Sequence, residues 1–266
     1  MGLNENAAAR LREMVAAYRP GTDEALMSAA LRLAAKWRSQ MIANTIRSVN
    51  GRKVLHGPFA GMDYAVEAAE GALAARLIGS YESELHPYLL AFLNAGVDHV
   101  VDIGCAEGYY AVGIARLAAQ VTVHAYDISE TARSLCTALA AANGVSDRVV
   151  VGAEFKGEDF AAFADKRSLV ICDIEGGETE LLDPDRWPAL KRLPLMVETH
   201  PHLSPRATEI LIERFAPSHA FTLVHQGPKA GPLPDWLKTL GHLDSLLAVW
   251  EWRAQPTPWL VMKPKT

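Results

Sequence analysis

The densest chemistry in this chain lies in seven residues, Asp102-Ile103-Gly104-Cys105-Ala106-Glu107-Gly108. They follow the apolar pair Val100-Val101 and lead into a helical stretch, so a strand runs through a glycine-bracketed turn into a helix N-terminus. Gly104 lets the chain turn sharply and lets a ligand touch the backbone, while the helix start offers free N–H groups and partial positive charge. A dinucleotide site needs three close glycines, G-x-G-x-x-G, to admit a pyrophosphate. Here only Gly104 and Gly108 stand in the turn, and the carboxylates of Asp102 and Glu107 repel a pyrophosphate. They suit instead a sulfonium and an ammonium, the charges of S-adenosylmethionine. Asp127 ends the next apolar run, Ala125-Tyr126-Asp127-Ile128, where a carboxylate can accept both hydroxyls of a ribose. An NAD site would use the same residue, so Asp127 marks a nucleoside without choosing which; alone it could equally cap the helix starting at 130.

Two later strand ends add polar groups. Cys172-Asp173-Ile174-Glu175-Gly176-Gly177-Glu178 closes a fourth apolar run, and Glu198-Thr199-His200-Pro201-His202 closes a fifth. In open α/β sheets the ligand crevice lies outside the carboxyl ends of the strands, so Asp173 and His200 are expected to face it as the catalytic pair. Three readings stay open. His200 could take a proton from a substrate hydroxyl. Asp173, Glu198 and a histidine could instead hold a hard divalent cation that acidifies that hydroxyl. Or the group is a polar strand end with solvent-facing imidazoles, and Glu178 only stabilises a helix dipole.

These side chains need a scaffold, and the chain from His99 onward supplies one. Short β-rich runs at 99–104, 121–128, 148–154, 169–174 and 195–200 alternate with helical stretches at 107–118, 130–143, 159–164 and 178–192. Alternation at this spacing means a parallel sheet with helices on both faces. A helix follows with Ser204 as N-cap and Pro205 at its first position, then a strand at 220–225, a Gly/Pro loop at 227–234 and a last strand at 259–263. Two late strands split by a long excursion suggest an added antiparallel edge strand. The first 78 residues differ in character. Asp23 to Thr45 carries Leu26, Ala30, Leu33, Trp37 and Met41 on one helix face, and a loop with Gly57-Pro58-Phe59 follows. The stripe is expected to pack against the main domain or a second copy of the chain, so residues 1–78 are read as a helical extension that covers the acceptor pocket or joins two chains in a homodimer, with 79–266 as the main domain. A helix is also expected over 82–94.

Composition narrows the class. The chain has 266 residues, half of them hydrophobic, and a net charge of −5. That is ample for a core and opposite in sign to a protein that grips nucleic acid by its phosphates, so no nucleic-acid partner is expected. Three cysteines, at 105, 136 and 172, lie in apolar stretches as buried thiols of a reducing compartment. The opening MGLNENAAARLREMV lacks the charged and apolar regions of a secretory signal, and no run reaches the roughly 18 residues of a membrane span. A cytoplasmic protein without membrane contact is the expectation.

At these residues the sequence resembles class I S-adenosylmethionine-dependent methyltransferases, and within them the FkbM-like group. VDIGCAEGYY (101–110) is similar to the family's cofactor turn, DIEGGE (173–178) to its D-x-E-G-x-E box, and VETH (197–200) to its fifth strand. NGVSDRVVV (143–151) resembles a common passage from the second helix to the third strand. The resemblance implies an α/β, Rossmann-like sheet of seven strands, mostly parallel with the last antiparallel, and S-adenosyl-L-methionine as cofactor. It implies transfer most often to oxygen but carries no substrate over; a small-molecule, sugar-like or lipid-like acceptor is the expectation here. The implied cofactor residues are Asp102, Gly104, Cys105, Ala106, Glu107, Gly108, Asp127 and Ile128, with Tyr81 and Glu82 near the methionine end. The rivals are an NAD-dependent oxidoreductase and a binding module that keeps the cofactor without chemistry.

Overall fold

A computed structural model describes residues 2–68, 71–229 and 231–265. One sheet organises the chain, with strands β1 His99–Ile103, β2 Thr122–Tyr126, β3 Val149–Gly152, β4 Ser168–Cys172, β5 Leu195–Glu198, β6 His219–Val224 and β7 Trp259–Pro264. Their order is β3-β2-β1-β4-β5-β7-β6. β1 to β5 pair in parallel, while β7 runs antiparallel to both β5 and β6. The sheet is therefore seven-stranded and mostly parallel with an antiparallel last strand, as expected. The antiparallel strand is not at the edge, however. β7 is inserted between β5 and β6, and β6 forms that edge.

Register decides what meets at the carboxyl ends. Ile103 stands opposite Tyr126 on β2 and Cys172 on β4, so the residues following the three strands emerge level with one another. Alternation along β1 separates the two faces: Val100 packs in one apolar cluster and Val101 in the other. The helices cover both faces. They are α1 Leu3–Ala16, α2 Asp23–Asn50, α3 Leu73–Ile78, α4 His86–Asn94, α5 Tyr109–Leu117, α6 Glu130–Ala142, α7 Glu178–Leu181, α8 Ala207–Phe215, α9 Asp235–Lys238 and α10 His242–Ala248. No helix among the described residues is long and apolar enough to cross a membrane.

Several boundaries differ from those read in the sequence. The helix expected over 178–192 is broken, because α7 stops at Leu181 and a 3-10 turn takes up again at Pro188–Arg192. Pro184 disfavours a helical residue before it, and Asp183 turns the chain by accepting the N–H groups of Asp185 and Arg186 at 3.0 and 3.3 Å. α8 begins at Ala207, not at Pro205, after Arg206 at φ +61°. The expected helix over 82–94 opens as a 3-10 turn at Ser83–Leu85, since Glu82 is left-handed at φ +48°. Ala230, within the loop expected at 227–234, lies outside the described residues.

Residues on both sides of position 78 share one buried cluster. Ile42, Ile46, Val54, Phe59, Met62 and Tyr64 are buried in the same cluster as Val100, Ala111 and Val123 of the sheet layer. Phe59 sits on α5 where Gly113 leaves room, since a Cβ there would meet the ring at 2.5 Å. The segment read as a cover is thus part of the core. Only α1 and the first half of α2 stand apart: α1 buries no residue, and the buried residues of α2 begin at Ser39. Leu11, Val15, Met27 and Leu31 remain exposed on this helical hairpin.

Candidate active site

The turn after β1 is built on close approach. Gly104 has φ +84°, and a Cβ on it would lie 1.7 Å from the carbonyl oxygen of Asp173, so only glycine lets this turn rest on the end of β4. Gly108 has φ +91° and packs on Cys136, whose Sγ a Cβ would meet at 2.7 Å. Its left-handed conformation delays α5 to Tyr109, two residues beyond the expected start at Glu107. Gly104 and Cys105 donate their N–H groups to the Tyr126 carbonyl at 2.8 and 3.0 Å. Asp127 Oδ2 accepts the Ala106 N–H at 3.0 Å, and its Oδ1 accepts the Ser129 N–H at 2.8 Å. One carboxylate thus fastens the turn to the end of β2 while each oxygen keeps a second lone pair.

Two cavities meet at this turn. A cleft of about 760 Å³ runs past the carboxyl ends of β1 to β4, lined by Asp127, Ile128, Phe155, Glu175 and Trp187 among others. A small enclosed chamber of about 30 Å³ lies on the other side, walled by Tyr81, Glu82, Asp102, Cys105, Ala106 and Tyr110 among others. Gly104 and Asp173 line both. Asp102 is buried, and its Oδ2 has no hydrogen-bond partner. Burial, with Asp127 and Glu107 nearby, pushes its carboxyl up to about 7. Ile128 is 84% exposed at the rim.

Glu107 also lines the chamber, yet its charge is already compensated. The carboxylate accepts from the Tyr64 hydroxyl and lies 3.3 Å from Arg76 Nε, whose guanidinium stacks 4.3 Å above the Tyr81 ring. Neither Tyr64 nor Arg76 announces itself in the sequence, because each lies more than thirty residues from its partner and in no motif. A second buried network closes the far wall. Glu82 accepts from the Tyr110 hydroxyl at 2.6 Å and pairs with Arg253, which also holds Glu198 and, at 3.2 Å, Glu251. Lys229 adds an ion pair to Glu251 at 2.7 Å. Burial pushes the Glu82 carboxyl up to about 8 although Arg253 opposes the shift. Residues of the excursion between β6 and β7 therefore anchor Glu82, which lines the chamber, from behind.

Asp173, Glu175, Glu178, Glu198 and His200 come together as one group. His200 is 2% exposed. Its Nδ1 hydrogen-bonds Glu178 Oε1 at 2.8 Å, while its Nε2 lies 3.4 Å from Glu175, 3.6 Å from Asp173 and 3.7 Å from Glu198. Burial alone would lower its pKa, but the hydrogen bond to Glu178 and the surrounding carboxylates outweigh it and hold the imidazole above its ordinary value. His200 was expected on the crevice surface. It lines neither cavity and stands instead in the wall behind Asp173 and Glu175. His202 is exposed, with its ring 5.8 Å from that of His200.

No protein-family model matches the chain, and no curated protein matches it. Among solved structures it is similar to the O-methyltransferase TomG from Streptomyces achromogenes, involved in tomaymycin synthesis and solved with SAM. That likeness has 14% identity, covers 86% of this chain and 90% of that one, and reaches a TM-score of 0.46. An O-methyltransferase from Bacillus cereus in complex with SAH is 13% identical over 86% of this chain and 90% of that chain, with a TM-score of 0.43. Likenesses this distant carry no chemistry with them.

Proposed function

We propose that the chain is an S-adenosylmethionine-dependent methyltransferase that acts on an oxygen of a small acceptor. The observation that carries this reading is the pairing of a nucleoside-sized cleft with a chamber lined by the buried Asp102 carboxylate, whose Oδ2 has no hydrogen-bond partner. An ammonium is the group that Asp102 lacks, and Asp127 at the seam of β1 and β2 has lone pairs left for ribose hydroxyls. Ile128, Phe155 and Trp187 offer apolar surface for an adenine. A dinucleotide fits worse. The Ala106 N–H that a pyrophosphate would need is spent on Asp127, and Asp102 brings negative charge to the same turn.

When bound, the cofactor supplies an activated methyl group on a sulfonium. The protein then has to align the acceptor with it and exclude water. Asp173 lines both cavities, so its carboxylate orients the acceptor where they meet, and His200 with Glu178 positions Asp173 from behind. The finer likeness to the FkbM-like group rests on the sequence at 101–110, 173–178 and 197–200 and adds no substrate. Calorimetry on the intact chain tests the reading: S-adenosylhomocysteine binds, NAD does not, and Asp127→Ala weakens binding by about 1–3 kcal/mol, the usual penalty for stranded hydroxyl partners. Binding of NAD in place of S-adenosylhomocysteine would overturn it.

A further inference from the structure

We propose that Asp173, Glu175 and His200 form a binding site for one first-row divalent cation of the manganese or zinc class. The three residues offer Oδ1, Oε2 and Nε2, one ligand atom each, all within 4.8 Å of one another. Nε2 lies 3.4 Å from the Glu175 oxygen and 3.6 Å from the Asp173 oxygen. Ligand atoms about 2.1 Å from a common ion stand about 3.0 Å apart at right angles and about 3.4 Å apart in a tetrahedron. The two edges that meet at Nε2 are therefore close to those of a cation's coordination shell, and the third is no longer than 4.8 Å.

An independent observation comes from the imidazole itself. His200 is 2% exposed, and Glu178 Oε1 fixes its Nδ1 at 2.8 Å. A carboxylate on one ring nitrogen sets the tautomer and aims the lone pair of the other at a metal. Here Nε2 makes no hydrogen bond among the described residues, and its neighbours are carboxylate oxygens of three different residues. Nε2 and one oxygen each of Asp173 and Glu175 form a cluster of Lewis bases that a cation can hold together. Arg253 pairs with Glu198. The mixed nitrogen and oxygen donor set favours manganese, iron or zinc over calcium or magnesium.

Asp173 and Glu175 line the open cleft, so the remaining coordination positions face it. If the methyltransferase reading holds, on which this one step rests, an acceptor hydroxyl completes the shell there and is acidified by the ion. The cation site itself stands on geometry alone. Its test uses the intact chain, stripped with a chelator and titrated with Mn²⁺ followed by electron paramagnetic resonance and with Zn²⁺ by calorimetry. One ion per chain is expected, with affinity lowered at least tenfold by Asp173→Asn or Glu175→Gln and by about 10–100-fold by Glu178→Gln. Glu175 is exposed, so Glu175→Gln leaves the fold intact and keeps the test decisive if a His200 variant does not fold. S-adenosylhomocysteine affinity of the same samples reads the cofactor pocket separately. No binding below millimolar ion, or binding indifferent to Glu175→Gln and Asp173→Asn, overturns the site and leaves His200 as an imidazolium among carboxylates.

Discussion

Asp102 concentrates the electrostatics of the proposed cofactor site in one side chain. With its carboxyl raised to about 7, the folded chain holds a proton that the unfolded chain releases at about 3.9. The stabilisation this gives is fully present below that lower value and is lost as pH climbs through about 7, where the buried carboxylate must ionise. An ammonium beside it reverses the preference and needs the ionised form. S-adenosylhomocysteine is therefore expected to bind more tightly at pH 8 than at pH 6 and to release protons as it binds below neutrality. Asp102→Asn weakens binding and removes that pH dependence, which calorimetry in two buffers of different ionisation enthalpy will show. Equal affinity at both pH values in the unsubstituted chain would place the ammonium elsewhere. Residues such as Asp102, Gly104, Asp127 and Asp173 could be named from the sequence because local spacing gives them away. Arg76 and Arg253 could not: each acts through carboxylates that the fold brings from distant segments, Glu107 in one case and Glu82 and Glu198 in the other.

The strands were legible because a buried parallel sheet writes itself as short runs of Val, Ile and Leu, and every strand was placed to within a few residues. The helices were legible only where nothing interrupts them. Pro184 ended one early, and Gly108 with Ala106, at φ +91° and +46°, held another back to keep the cofactor turn open. For the N-terminal elements the pattern leaves the packing partner open. An apolar stripe shows that a helix packs, not against what, and the half of α2 from Ser39 onward packs into the sheet's own core. Two truncations separate these halves. A chain beginning at Lys36 keeps every buried residue of α2 and the Arg38–Asp244 pair at 2.6 Å, so its melting temperature and S-adenosylhomocysteine affinity should match those of the full chain. Beginning at Gly79 removes Ile42, Phe59, Tyr64 and Arg76 and leaves Glu107 buried without its cation, a loss of about 3–5 kcal/mol for that pair alone, so this chain should not fold. Circular dichroism melts decide both. Sedimentation of the full chain and of the chain beginning at Lys36 tests the homodimer: a dimer that disappears on removing residues 1–35 assigns the exposed Leu11, Val15, Met27 and Leu31 to self-association.

At the scale of the molecule, the sheet order places the carboxyl ends of β1, β2 and β4 side by side, and three distant layers close around them. The segment from Val54 to Glu82 walls the chamber, the excursion between β6 and β7 latches it through Arg253 and Lys229, and the turn after β4 forms the far side of the cleft. Strain gathers at the same place: Glu82, Ala106, Glu175 and Trp252 all hold left-handed backbone without being glycine. Such residues persist where surrounding contacts over-determine them, as at ligand sites. None of this could be read from pattern, since it depends on which segments the topology brings to one rim. The central claim is that the cleft receives an adenosine and the chamber an amino-acid end, with Gly104 between them. A crystal structure of the intact chain grown with S-adenosylhomocysteine tests it most directly. The account predicts the ribose hydroxyls on Asp127, the adenine beside Ile128, and the ligand's amino group within hydrogen-bond distance of Asp102, with Asp173 next to the sulfur. An adenine seated in the chamber, or a ligand that leaves Asp102 unpartnered, would contradict it.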